Sequence, residues 1–284
     1  MGKNKIILLV IFLTFLSAQF FSQTDNPKMV DQEELELILK KCEEYCERLN
    51  NVSLYFVCKE EIKEKIYLSP ARSGSVALLR SGELRENKLP KNKYIYDYQL
   101  IRKGNTTDEQ RILIEENGQE KNDLDAQLKT TRFQHKFIVF GPIGLLGQKQ
   151  QKNYDYKILK NVNYKKEKAV ILEALPKFPQ ENNTLYGKIW IRKKDFAILK
   201  IEWEQESLEN FEIIEKIAKR MNATPLITFI SEFGFEKNKI RFPNKYSVEE
   251  IYISRQGGRR FLRSKTTVVY DNYKFFTVDT KVKY

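Results

Sequence analysis

The sequence predicts an α+β fold that is mainly antiparallel β: a single curved sheet of about eleven strands, one N-terminal helix and two apolar interruptions. Two observations carry this. The 15 Tyr and 18 Phe, set among frequent Ile, Val and Thr, favour sheet. Short runs of alternating apolar and polar residues recur along most of the chain, bounded by turn residues, and no βαβ alternation separates them, which argues against a parallel sheet. With 284 residues, 41% hydrophobic and 31% charged, the composition is that of a globular protein, neither multi-span nor disordered.

In chain order, Lys3 and Lys5 precede an eleven-residue apolar run, Ile6 to Leu16, and the small residues Ser17 and Ala18. This is the pattern of a cleaved export signal over 1–18, and the run is short for a membrane anchor. Export to the periplasm follows, without lipid modification, since no Cys lies near the cleavage zone. Residues 19–29 read as a flexible linker and 30–284 as one domain. Net charge is +12, and removal of 1–18 takes two lysines and no acid, leaving +10. In an exported chain this excess points to an anionic membrane surface rather than nucleic acid, or to lysines that keep strand edges unpaired.

Gln32 to Leu49 has helical period, with Leu35, Ile38, Leu39, Cys42, Tyr45, Cys46 and Leu49 on one stripe, and Asp31 with Glu34 resembles a capping box. Strands follow at 52–67, 92–103, 109–118, 154–161, 169–175, 185–192, 198–206, 226–236, 246–255, 261–270 and 275–283. Gly257-Gly258 marks a hairpin turn. The interruptions are "FIVFGPIGLLG" (137–147) and "LENFEIIEKIAKRMN" (208–222), where Phe211, Ile214, Ala218 and Met221 share a helical face.

The most orderly stretch is "GKIWIRKKDFAILKIEW" (187–203). Pairing its arms so that residue numbers sum to 390 sets Ile189 against Ile201, Ile191 against Leu199, Lys188 against Glu202 and Trp190 against Lys200. One face, formed by Ile189, Ile191, Leu199, Ile201 and Trp203, is apolar. It either seals a core or floors a cavity beneath covers at 137–147 and 208–221.

Little points to catalysis. The single His135 lacks a Gly-flanked Ser or a reactive Cys context, and no metal or cofactor motif occurs. Glu60, Glu61 and Glu64 read as a solvated charge run, although Glu60 shares strand parity with Phe56 and Cys58. Cys42 and Cys46 are poorly spaced to bridge each other, so Cys46–Cys58 is the candidate disulfide.

With these features assembled, the helix leading into "LYFVCKEEI" (54–62), the segment "FGPIGLLG" (140–147), the 187–203 hairpin and the tail "FPNKYSVEEIYI" with "TTVVYDNYKFF" resemble the LolA/LolB-type periplasmic lipoprotein-carrier superfamily over most of residues 30–284. That resemblance implies an unclosed half-barrel capped by the N-terminal helix and lid-like helical segments. It further implies a non-enzymatic carrier or binding protein for lipid or acylated protein. The expected ligand-facing residues are Ile189, Ile191, Leu199, Ile201, Trp203, Phe137, Phe140, Ile143, Leu145, Leu146, Phe211 and Ile214. The alternative is a structural or partner-binding envelope protein whose core is sealed and holds no lipid; neither reading names its protein partners.

Overall fold

The computed structural model describes residues 27–67, 91–104, 106–178, 185–209 and 211–276. The expected export signal, most of the linker, the segment 68–90 and the strand expected beyond Phe276 lie outside these residues. The chain divides into two compact units, Met1–Leu37 and Ile38–Tyr284. The described part of the first is the start of helix α1, where Gln32 and Glu36 side chains are hydrogen-bonded at 3.0 Å. All else described here belongs to the second.

Helix α1 spans Pro27–Val52, longer at both ends than the periodicity predicts. Proline suits a first helical position, because its fixed φ is helical and the missing N–H would have no partner there. The helix therefore starts inside the expected linker, and Asp31 is a helical residue rather than a cap. From Ile38 onward the predicted stripe is the buried one: Ile38, Cys42, Tyr45, Cys46 and Leu49 are all inaccessible.

Eleven strands form one sheet: β1 (Phe56–Ile66), β2 (Lys91–Lys103), β3 (Thr106–Glu116), β4 (Gln119–Leu124), β5 (Tyr154–Tyr164), β6 (Glu167–Pro176), β7 (Gly187–Arg192), β8 (Ile198–Trp203), β9 (Ala223–Glu232), β12 (Lys245–Ser254) and β13 (Arg260–Phe275). Their order is β4-β3-β2-β1-β13-β12-β9-β8-β7-β6-β5, and each neighbouring pair is antiparallel. Among the described residues β4 and β5 are free edges, so the sheet is an open half-barrel, as expected. Edge β5 carries Lys157, Lys160 and a register shift between Ile158 and Lys160, devices that discourage pairing with another chain.

Two strand pairs depart from the expected pattern. Strand β4 has no apolar alternation and is exposed throughout, so periodicity misses it. It exists because Asn117-Gly118, at φ 53° and 82°, makes a tight turn that returns the chain onto β3. The expected strand 226–236 breaks at Gly234, whose N–H donates to Asn244 Oδ1 at 2.6 Å. Beyond it, β10 (Phe235–Lys237) and β11 (Ile240–Phe242) form a separate two-stranded sheet turned by Asn238 and Lys239, both at positive φ. The expected strand 198–206 likewise stops at Trp203, and a 3₁₀ turn occupies Gln205–Ser207.

The interruptions are helical. Ile138–Phe140 is a 3₁₀ turn, followed by α2 (Gly141–Leu146) and α3 (Gln148–Gln151). Helix α4 (Phe211–Arg220) buries Ile214 and Ala218 as expected and leads directly into β9. Among the described residues, no helix is long and apolar enough to cross a membrane.

Candidate functional site

Residues opposite each other in an antiparallel pair share a sheet face. The register therefore traces the inner face strand by strand: Leu172, Ile189, Ile201, Ser231, Tyr246, Val268, Ile62 and Tyr94 form one row across eight strands. All eight are buried. This one face changes character along its length. Around β7 and β8 it is apolar; around β1, β3 and β12 it holds carboxylates.

The apolar part is the 187–203 hairpin. Lys188 pairs with Glu202, Ile189 with Ile201 and Trp190 with Lys200, as their chemistry predicts. Lys200 Nζ stands 4.0 Å above the Trp190 ring on the outer face. One pair differs. A bulge sets Ile191 opposite Ile198 rather than Leu199. The turn is the cause: Phe196 is left-handed at φ 59°, its N–H returns to the Arg192 carbonyl, and both Ile198 and Leu199 are turned into the core. Gly187 opens the hairpin for a steric reason, since a Cβ there would meet the Glu202 carbonyl oxygen at 2.1 Å.

Segment α2 lies on this face. A Cβ on Gly141 would sit 3.2 Å from Trp203 Cζ2 and 3.5 Å from Ile201 Cδ1, so bare backbone covers the indole. Trp203 donates from Nε1 to Ser231 Oγ at 3.0 Å. The carbonyls of α2 are bound from three sides: Cys46 Sγ to Pro142 O at 3.5 Å, Tyr156 OH to Leu145 O, and Gln151 Nε2 to Leu146 O at 2.9 Å. Of the twelve residues the sequence nominates, the structure brings together Ile189, Ile191, Leu199, Ile201, Trp203, Leu145 and Leu146 in this closed layer, at most 6% exposed. Phe137, Phe140 and Ile143 are half-buried around it. Phe211 is half-buried and Ile214 buried on α4, which packs on β9.

An open cavity of about 570 Å³ lies elsewhere, between the C-terminal end of α1, the β10–β11 hairpin and the end of β13. Val52, Tyr55, Ile240, Phe242, Phe275 and Phe276 give it apolar and aromatic walls, and Arg48 and Lys237 put two cations among them. Phe235 and Tyr273 stack against each other, centroids 4.5 Å apart, and Phe242 meets Phe275 edge-on. None of the twelve nominated residues lines it. Sequence reading missed it because its walls come from three separate stretches, 48–55, 237–242 and 275–276, one including a three-residue strand too short to show a period.

The polar part overturns the solvated reading of the glutamate run. Glu60 is fully buried; it receives Arg111 at 2.7 and 3.2 Å and faces His135 Nε2 at 2.8 Å. Glu64 accepts from the backbone N–H of Thr131 and Arg132 at 2.9 and 3.1 Å. Glu250 on β12 takes Arg132 at 2.6 and 3.1 Å, with Ser264 and Tyr252 hydroxyls at 2.9 and 3.0 Å. Only Glu61 points outward, between Lys59 and Lys63. Alternation explains this, since Glu60 and Glu64 have the parity of Phe56 and Ile62.

These carboxylates hold down residues 125–137, an irregular strap laid over β3, β2, β1 and β12. Its Phe137 N–H donates to Glu109 Oε1 at 2.7 Å, and Glu109 in turn binds Arg111 and the Tyr98 hydroxyl. Burial by itself would raise the Glu60 pKa. The charge of Arg111 and the contact with His135 outweigh burial and hold it at about 2. His135 Nδ1 is buried without a hydrogen-bond partner among the described residues. A polar cavity of about 340 Å³ adjoins Arg111 and His135.

The expected Cys46–Cys58 disulfide is not formed: Cys42, Cys46 and Cys58 are all free and buried. Cys46 is turned toward Pro142 on α2, whereas Cys58 lies on β1, on the sheet face that Tyr98 and Tyr270 share. Burial pushes all three thiols up, Cys46 to about 12, so they are neutral and poor nucleophiles. No group of three His, Cys, Asp or Glu suited to a metal ion occurs among the described residues.

No protein-family model and no curated protein sequence matches the chain. Solved structures with a similar course of chain include a putative outer membrane lipoprotein-sorting protein domain from Vibrio parahaemolyticus, at 10% identity over 86% of this chain and 93% of that one, TM-score 0.41. A DUF1329 family protein from Desulfovibrio piger has 11% identity over 86% and 95%, TM-score 0.38. A LolA superfamily protein from Nitrosomonas europaea has 12% identity over 87% and 95%, TM-score 0.30.

Proposed function

We propose that this chain is a non-enzymatic binding or carrier protein of the periplasm for an acyl chain, on a lipid or an acylated protein. The observation that carries the reading is the open 570 Å³ cavity at the α1 end. Its volume falls in the range of roughly 300–1,000 Å³ typical of small-molecule sites. Aromatic and aliphatic walls suit a hydrocarbon chain, and Arg48 with Lys237 suits an anionic head.

The apolar hairpin face is the second part of the proposal. Its cover α2 is short and bracketed by Gly141 and Gly147, so lifting it would uncover Ile189, Ile201 and Trp203 as a deeper floor. The competing reading, a sealed core that serves a protein partner, is favoured by how completely these side chains are closed off. The two are separable by the chain's two tryptophans.

In Trp190→Phe, Trp203 is the sole indole, and palmitate brominated along its chain is the quencher. Saturable quenching places an acyl chain beneath α2. Saturable binding without quenching confines the ligand to the cavity, and there Tyr55→Ala with Phe276→Ala should weaken binding about tenfold, the effect of losing roughly 1.4 kcal/mol of apolar contact. No saturable binding by any acyl probe sinks the proposal and leaves the sealed reading.

A further inference from the structure

Helix α4 has two unlike faces. Ile214 and Ala218 pack against β9. Flanking that face, at i, i+3, i+4 and i+7, run Ile213, Lys216, Ile217 and Arg220; Ile213 is 53% exposed and Ile217 half-buried. Aliphatic and cationic side chains thus alternate along this flank. Left-handed Asn222 ends the helix at φ 52°, and its carbonyl accepts the Arg255 N–H at 2.9 Å. That bond sets the start of the glycine turn of the β12–β13 hairpin beside the helix C-terminus; the turn carries Arg255 and Arg260, and the helix end Lys219 and Arg220. All four are exposed, and neither 216–222 nor 254–261 contains an acid. The acids of α4 lie toward its other end, where Glu212 reaches Lys216 at 4.0 Å.

From this arrangement we propose that α4 and the tip of the β12–β13 hairpin form a docking surface for an anionic phospholipid bilayer. The cations lie at headgroup depth, and Ile213 and Ile217 enter the headgroup–acyl boundary. A helix with an exposed apolar–cationic flank is an element suited to lie in that plane. Nucleic acid would use the cations but has no place for the two isoleucines. The surface is separate from the acyl cavity and does not depend on that reading. Its consequence is that the protein holds one orientation at a membrane, with the hairpin tip down.

The test is flotation of the full chain with vesicles of phosphatidylcholine and phosphatidylglycerol in equal parts, against phosphatidylcholine alone. The anionic vesicles should retain the protein and release it as salt rises. Arg220→Gln with Arg255→Gln should lower partitioning about 30-fold, at roughly 1 kcal/mol per cation. Ile213→Ser should lower it further at unchanged charge. Lys157→Gln with Lys160→Gln, on edge strand β5, removes the same charge elsewhere and should change little. Any N-terminal contribution is common to all variants, and unchanged thermal melts establish that each is folded. Equal losses in the two double variants would mean diffuse attraction and overturn the proposal. So would no retention by anionic vesicles, or a single-stranded DNA affinity that the arginine variant loses while vesicle binding stays unmoved.

Discussion

The two parts of the inner face solve the same problem, covering one side of an open sheet, in opposite ways. Over β7 and β8 the cover is α2, seated by close packing of Gly141 on Trp203 and by Leu145 and Leu146. Over β1, β3 and β12 the cover is the 125–137 strap, seated by Glu60, Glu64, Glu109 and Glu250. Dispersion and burial are graded and non-directional, so an apolar cover tolerates small changes and can be lifted and reseated. Buried charges are all-or-none: each carboxylate is tolerable only with its partners in place. The seat of α2 therefore rests mainly on graded packing, and that of the strap on charge pairs that must all be present.

The largest expected effect comes from breaking the charged side. Arg111→Met leaves Glu60 buried with only His135 beside it and should cost about 3–5 kcal/mol in urea unfolding. Adding Glu60→Gln to it should recover a substantial part, because the uncompensated charge is gone while His135 keeps a partner. If the double variant is as unstable as the single one, the pairing account fails.

Acid provides the next test. The Glu60 pKa is held at about 2 in the folded protein, against about 4.3 when unfolded. A lowered folded value means stability that is fully present above the unfolded pKa and lost as pH falls toward the folded one. That loss amounts to roughly 3 kcal/mol, spread between about pH 5 and pH 1. Glu60→Gln should flatten this part of the stability–pH curve, and an unchanged acid limb would remove Glu60 as its source. The smallest effect belongs to the apolar side: Ile201→Val should cost only about 0.5–1.5 kcal/mol, with the fold intact. A loss there as large as that of Arg111→Met would erase the distinction between the two halves.

Much of the fold was legible locally. The helix stripe from Ile38 to Leu49, the strand alternation and the pairing of Lys188 with Glu202 and Trp190 with Lys200 depend on neighbours a few residues away. The Asn117-Gly118 turn was legible too, but went unread because β4 lacks alternation. The bulge at Ile198 was not: it depends on a left-handed Phe196, a conformation that residue type does not announce. The inward parity of Glu60 was visible, yet its meaning was not, because its partners are 51 and 75 positions away. The cysteines show the same limit, since spacing permitted a bridge that the placement of Cys46 and Cys58 does not form.

What the sequence determined by itself is therefore the set of elements and which face of each is apolar, because a period of 2.0 or 3.6 and a turn dipeptide are written in adjacent residues. Tertiary structure alone decided which cover lies on which part of the sheet, where an open cavity remains, and that two glutamates of a polar-looking strand are core. Those outcomes turn on contacts between segments far apart in the chain. Whether a buried carboxylate is ruinous or stabilising depends on whether a guanidinium from another strand arrives within hydrogen-bonding distance.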